Sequence, residues 1–288
     1  MNYFKYFLEW MKLTRFEHAL LSSLGVLIGL FLASKSVEFE LFLLSLLVPL
    51  FINIGAFVLN DYYDIETDIL NKRFDRPLVK KSISPQHAFR AGLFFLFLGV
   101  FFSFFINFYA FLIAIFFAIL SFLYNSKLKD LVLVGNLSIA FSMAIAFPFG
   151  YIARTNSLNF PQLIVFLFFG AFFVGLAREI IKSIQDMEGD KKARNSKTLP
   201  ILIGPKKAAF YASLLFLIFC FYLFLLLFSE ENYIRWNYFL VSIILICIML
   251  FFVISLKVLK LEDLEEIRKT SLIALFIVTF IIFLAILF

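Results

Sequence analysis

Two histidines and two cysteines are all that 288 residues offer as soft or borderline metal ligands. His18 and His87 stand alone, and Cys220 and Cys247 both fall inside apolar runs. Zinc is therefore a poor reading. A disulfide framework is no better supported, and the two thiols read as packed core groups. Charge is scarce too, at 16% of residues, far below what the surface of a soluble domain needs. The first apolar run is followed by no small-residue cleavage site, so no cleavable signal is read.

What the chain has instead is apolar length. It is 63% hydrophobic with a mean hydropathy of +0.98. Runs long enough to cross a hydrocarbon core of ~30 Å as helices recur at roughly 16–34, 40–59, 88–107, 108–124, 131–153, 160–181, 206–228, 236–256 and 270–288. The expected fold is all-α: a polytopic membrane protein with nine transmembrane helices, in one domain over 1–288. Residues 1–15 read as an interfacial amphipathic segment, with Phe4, Phe7, Leu8 and Met11 on one side.

With the N-terminus inside and nine spans, 23 of the 26 basic residues fall on the inner side, and only Lys35, Arg154 and Arg235 fall outside. That asymmetry orients the chain in a cell membrane with its N-terminus in the cytoplasm. It also accounts for the net charge of +6 without nucleic acid, and no obligatory protein partner is called for. The same count puts two charge-rich segments, 60–87 and 182–205, at the cytoplasmic face as loops.

Those segments hold the chemistry. "NDYYDIETDILNKRFDRPLVKK" (60–81) has ten charges in 22 positions, and "REIIKSIQDMEGDKKARNSK" (178–197) has ten in 20. Each places acids before bases. Asp64 to Asp186 and Asp68 to Asp190 are both separations of 122 residues, a weak sign of internal duplication with a site between the halves. Asn60, Asp64 and Asp68 share one helical face at i, i+4, i+8; Arg178, Lys182, Asp186 and Asp190 repeat every four residues. A solvated loop that enforces topology would explain the bases, but it would not explain phased acids, whose like-charge pairs at i, i+4 cost ~0.2–0.5 kcal/mol each. Something cationic belongs there. Oxygen donors without His or Cys favour Mg²⁺, with Mn²⁺ as substitute. The adjoining bases, Arg73, Arg76, Lys80, Lys81, Lys182, Lys191 and Lys192, suit a phosphorylated ligand.

These segments resemble a known family. "NDYYDIETD" (60–68) with "DRP" (75–77), and "REIIKSIQDMEGD" (178–190) with "KTLP" (197–200), are similar to the two aspartate motifs of the UbiA superfamily of intramembrane prenyltransferases. "YNSKLKD" and "VGN" within 124–136 resemble its Tyr/Lys loop. The resemblance implies nine helices around a central cavity and Mg²⁺-dependent transfer of a prenyl group from a prenyl diphosphate. By position it implies one Mg²⁺ on Asn60, Asp64 and Asp68 with Asp61 in support, and a second on Asp186 and Asp190. It further implies that Arg76, Lys182, Tyr124, Lys127 and Lys129 meet the diphosphate or the allylic carbon. Ser183 stands where the family often has a third aspartate, which leaves the second ion two carboxylates.

The second motif resembles most the archaeal enzymes that alkylate the glycerol hydroxyl of geranylgeranylglyceryl phosphate in ether-lipid synthesis. An aromatic acceptor of quinone biosynthesis, hydroxybenzoate or dihydroxynaphthoate, is the alternative. Outside the class stand a CDP-alcohol phosphotransferase, whose acids cluster in one motif, and a cation transporter, whose charges sit mid-span. The expected partners are thus a prenyl diphosphate, a lipid or aromatic acceptor, and the bilayer.

Overall fold

Prolines and polar caps set where this chain turns. Ser84 accepts the His87 N–H, and Pro85 opens a helix. Gly204 at φ 86° precedes Pro205, which opens another. Both prolines sit where a missing N–H costs nothing. A computed structural model describes residues 3–194, 197–228 and 238–287. Residues 195–196 of the second charged segment, Arg235, and the side chain of His18 lie outside what it describes.

Thirteen α-helices occur among the described residues: α1 Tyr3–Thr14, α2 Phe16–Ala33, α3 Phe39–Tyr63, α4 Ile65–Leu70, α5 Pro85–Ser103, α6 Phe108–Ser126, α7 Val134–Ala144, α8 Ala146–Thr155, α9 Gln162–Arg194, α10 Leu199–Ile203, α11 Pro205–Leu226, α12 Tyr238–Leu259 and α13 Leu264–Leu287. The described residues contain no strand. Seven of the helices are long and apolar enough to cross a membrane, and an eighth crossing results if α7 and α8 count as one bent span. α2 is apolar over Ser22–Ala33 but shorter. This is a multi-pass membrane protein, and its described spans number seven or eight where nine were expected.

Two sequence expectations need correction. The run 131–153 is not one straight helix: α7 and α8 meet at 45°. Pro148 lies four residues after Ala144, the last residue of α7, and a proline ring displaces the carbonyl at i−4. Nor is 182–205 a loop, because α9 runs unbroken for 33 residues to Arg194 and α10 follows. Residues 178–194 are rich in Arg, Lys, Glu, Gln and Met, all good helix formers, so the helix continues past its apolar stretch.

Close helix crossings hold the bundle together. α2 and α8 touch backbone to backbone: a Cβ on Gly29 would lie 2.0 Å from the Phe147 carbonyl oxygen, and one on Gly150 would lie 1.9 Å from that of Val26. Small residues at such crossings are the usual means of packing helices in lipid. α1 lies against the charged end of the bundle. Buried Glu9 accepts from Lys80 Nζ at 2.7 Å and from the Ser82 hydroxyl at 2.8 Å, while Leu13 joins Val58, Leu78 and Ile83 in a small core. Tyr3, Phe4, Phe7 and Leu8 remain exposed. Cys220 and Cys247 are buried free thiols.

Inside the bundle is an apolar cavity of about 260 Å³, walled by residues of α2, α3, α6, α7, α8, α9 and α13, including Val26, Ile52, Phe117, Phe147, Ala171 and Leu275. Its charged end adjoins a second, polar pocket.

Candidate functional site

The polar pocket forms where α3 stops. At Asp64 (φ −97°, ψ 3°) the helix breaks, and α4 restarts at once. Even so, the Asp64 N–H donates to the Asn60 carbonyl at 3.0 Å and the Asp68 N–H to the Asp64 carbonyl at 2.7 Å. The i, i+4 spacing therefore survives the break. Asn60, Asp64 and Asp68 all line the pocket, and opposite them α9 contributes Lys182, Ser183, Asp186 and Asp190. The two acidic segments, 122 residues apart in the sequence, share one wall-to-wall space of about 60 Å³. Gly189 of α9 lies against the Asn71 side chain just beyond α4: a Cβ there would lie 2.2 Å from Asn71 Oδ1.

The protein's own cations sit on these acids. The Arg73 guanidinium bridges the segments, donating to Asp68 Oδ1 at 3.1 Å and also to Asp186 Oδ1. Lys129 Nζ donates to Asp64 Oδ1 at 2.6 Å and stands 5.6 Å from the centre of the Tyr63 ring. Among the described residues no three carboxylates are gathered closely enough to hold a metal as they stand. What separates Asp68 from Asp186 is a guanidinium, so the gap between them already accommodates positive charge. The donors facing the pocket are carboxylate and amide oxygens, a set that suits a hard divalent cation.

Burial governs the electrostatics outside the spans. It raises the Asp68 carboxyl above the usual range, and Asp61 adds to the effect, against Arg76 and Arg73. Burial also brings the Lys129 ammonium down to about 7, helped by Lys182 and opposed by Asp130, Asp190 and Asp68. For Arg76 burial works downward, but Asp61 and Asp68 outweigh it and the guanidinium is held more firmly protonated than usual.

Not every expected residue arrives. Asp61 is 3% exposed, turns away from the pocket lining, and accepts from Arg15 Nη2 at 2.6 Å and from Arg76 Nη1. Read from sequence as a supporting metal ligand, it is here the anchor of two arginines. Helical phase alone does not turn it away, since Asp61 precedes Asp68 by seven residues and is nearly in line with it; its bonds to Arg15 and Arg76 hold it out of the lining. Lys127 is likewise absent from the lining, while Lys129, carried on a short 3₁₀ turn over Leu128–Asp130, is present. Tyr124, Arg15 and Lys182 line both the pocket and the apolar cavity, and Arg76 lines the pocket, 3.8 Å from Asp68 Oδ2.

Other residues entered that sequence reasoning passed over. Asn125 receives the Asn60 amide N–H at 3.0 Å and donates to the Ala56 and Ser121 carbonyls. Asn60 is thereby left with its side-chain oxygen as the acceptor. The Asn136 amide donates to the Ser183 hydroxyl at 3.0 Å, and that hydroxyl donates to the Glu179 carbonyl. A lone asparagine at the end of an apolar run was the available signal for both. Arg73 was legible only as one base among several.

Comparison with known proteins identifies the family. The family model described as "UbiA prenyltransferase family" matches residues 22–280. A digeranylgeranylglyceryl phosphate synthase of Archaeoglobus fulgidus is 37% identical over 206 residues, covering 71% of this chain and 69% of the relative. Another from Thermococcus kodakarensis is 37% identical over 212 residues, 73% of each chain. Among solved structures, one of a digeranylgeranylglyceryl phosphate synthase in membranes superimposes with a TM-score of 0.74 at 28% identity, covering 98% of this chain and 99% of that one. A UbiA homolog from Archaeoglobus fulgidus bound to GPP and Mg²⁺ shares the fold, with a TM-score of 0.71 at 21% identity over 97% of this chain and 99% of that one.

Proposed function

The chain belongs to the UbiA prenyltransferase family, and from that premise we propose that it transfers a geranylgeranyl group from geranylgeranyl diphosphate to the glycerol hydroxyl of geranylgeranylglyceryl phosphate. The observation that carries this reading is the junction of two spaces. A polar pocket lined by Asp64, Asp68, Asp186 and Asp190 opens beside an apolar cavity of about 260 Å³, with Tyr124 and Lys182 on the wall of both. A diphosphate with an isoprenoid tail has that same polarity, end to end. The names of the relatives that are 37% identical support the glycerol-phosphate acceptor.

Residue roles follow from position. Asn60, Asp64 and Asp68 hold one Mg²⁺, Asp186 and Asp190 a second, and Mn²⁺ can substitute because the donors are hard oxygens. The ions supply positive charge against the diphosphate as it leaves. Arg73, Arg76, Lys129 and Lys182 supply fixed donors to the same oxygens, and charge placed in advance where negative charge develops is the strongest device a site of this kind has. Asp61 and Arg15 keep Arg76 aimed. The allylic C–O bond breaks with its electron pair on the diphosphate; the acceptor hydroxyl oxygen closes a new C–O bond to that carbon, and its proton passes to the released diphosphate. The cavity's aromatic wall, with Phe117 and Tyr124, excludes water and presents π-faces to the electron-poor allylic carbon. The N-terminus and both acidic segments face the cytoplasm in this reading, which the distribution of Lys and Arg counted over nine spans supports.

Purified protein incubated with geranylgeranyl diphosphate and Mg²⁺, offered the glycerol phosphate lipid or a hydroxybenzoate or dihydroxynaphthoate acceptor, should yield the ether lipid by product mass. A prenylated aromatic product instead would replace the acceptor assignment. Failure to consume the diphosphate with any acceptor would remove the activity.

A further inference from the structure

The cavity's charged end contains more positive charge than the diphosphate pocket accounts for. Five charged side chains line it among the described residues: Arg15, Arg178, Glu179, Lys182 and Arg268. Arg15 is bonded to Asp61 at 2.6 Å, and Lys182 and Glu179 face each other at 3.9 Å. Arg178, buried, donates to the backbone carbonyl of Arg268 and to the Ser271 hydroxyl at 2.8 Å. Arg268 donates to the Gln185 amide oxygen at 2.8 Å. The hydrogen-bond partners of both arginines are thus neutral groups. Glu179 acts on Arg178 and Glu265 on Arg268 through space, with no ion pair to either arginine among the described residues, and buried Arg178 carries a desolvation cost that an anion would relieve.

We propose that Arg178 and Arg268 form a second anion subsite, separate from the Asp-lined pocket, that takes the phosphate monoester of the acceptor lipid. The inference rests on the acceptor reading above. The charge count fits, since a surplus of two matches a phosphate monoester, which carries about −1.5 to −2 at neutral pH. The placement fits as well. The two arginines come from α9 and α13 on the cavity side, whereas Arg73, Arg76 and Lys129 come from the turns after α4 and α6 on the pocket side. A phosphate on Arg178 and Arg268 leaves the acceptor's glycerol carbons beside Lys182 and Tyr124, two of the residues that line both spaces, where the allylic carbon is delivered. A hydroxybenzoate or dihydroxynaphthoate acceptor brings one carboxylate charge where a phosphate monoester brings nearly two, so this subsite would favour the phosphorylated acceptor.

The test compares two acceptors, geranylgeranylglyceryl phosphate and the same lipid without its phosphate, on the full-length protein. The wild type should favour the phosphorylated lipid in kcat/KM by about 100-fold or more, the kind of discrimination a built polar subsite gives. Arg268→Gln should reduce that preference about tenfold or more through a raised KM for the phosphorylated lipid, and Arg268→Lys should retain most of it. The KM for prenyl diphosphate should stay within about twofold in both variants. Because Arg178 also ties α9 to α13, Arg178→Lys is secondary and Arg268 carries the test. An Arg268→Gln enzyme that keeps the full preference overturns the subsite. So does a change that falls on the prenyl diphosphate KM, because the arginine would then belong to the diphosphate. If the wild type modifies neither glycerol lipid, the acceptor reading itself fails and the subsite with it.

Discussion

Replacing Arg73 with leucine should move metal affinity and turnover in opposite directions, and the geometry says by how much. The guanidinium contacts Asp68 at 3.1 Å and also Asp186, and the side chains of Arg73, Asp68 and Asp186 are 30%, 2% and 11% exposed. At 3.1 Å and an effective dielectric of about 20, unit charges attract by roughly 5 kcal/mol. Desolvation cancels much of that, and for a partly exposed arginine a net of about 2 kcal/mol is the reasonable scale. A divalent cation has to take the carboxylates from Arg73, so this energy opposes its binding. Without the arginine, Asp68 and Asp186 also repel each other, which favours the metal further. The midpoint for Mg²⁺, read by calorimetric titration of the purified protein, should fall about 30-fold, the factor that 2 kcal/mol implies. At saturating Mg²⁺, kcat/KM for the prenyl diphosphate should fall about 10- to 100-fold, because the leaving group loses a forked donor. Arg73→Lys should lie between, since an ammonium cannot fork across both acids. A midpoint that stays put or rises in Arg73→Leu would show that the guanidinium does not compete with metal, and the exchange of cations argued here would be wrong.

Four further outcomes follow. Asp64→Asn and Asp190→Asn should each lower kcat/KM by about 10³ or more while circular dichroism stays unchanged; near-normal turnover in either would remove it from the metal set. Chelation with EDTA should abolish turnover, and added Mg²⁺ should restore it; activity that persists through chelation contradicts the oxygen-donor reading. Gly150→Ala should force α2 and α8 apart by about 1.5 Å, since its Cβ would lie 1.9 Å from the Val26 carbonyl oxygen where about 3.4 Å is comfortable, and overpacking of that size costs ~1–3 kcal/mol or more; an unchanged melting temperature in detergent would refute the crossing. For Glu9, burial raises the carboxyl, but bonds from Lys80 and Ser82 outweigh it, so its folded pKa lies below the ordinary 4.5. A lowered carboxylate pKa means stability that is present above 4.5 and lost as pH falls through the folded value. The melting temperature of the wild type should therefore drop more steeply below pH 4.5 than that of Glu9→Gln, and parallel curves would count against the clasp on α1.

Helical phase was the part of this site the sequence could carry. Asn60, Asp64 and Asp68, like Asp186 and Asp190, repeat every four residues, and an α-helix converts that spacing into one face wherever it lies. Phase did not settle Asp61, which precedes Asp68 by seven residues and lies nearly in line with it; the bonds from Arg15 and Arg76 that hold it out of the lining are tertiary and were not legible. Charge density was the poorer guide. It identified 182–205 as exposed to water, which says nothing about backbone conformation, and α9 continues through it as helix. The bend at Pro148 was written in the sequence as a proline inside an apolar run, yet length alone made 131–153 look like one span.

The rest could not be read because it depends on which helices become neighbours. Arg73 has no periodic relation to Asp186, 113 residues away, and their bond exists because α9 packs against the end of α4, with Gly189 against Asn71. Arg178 and Arg268 were counted among the bases that orient the chain, and by number alone they fit that account. Orientation needs positive charge at the membrane face, in water, where it is cheap. These two line a cavity, and Arg178 is buried, where a guanidinium hydrogen-bonded only to neutral groups is expensive. A basic residue placed there is performing a task that topology does not demand, and a phosphate is the partner its surplus charge calls for.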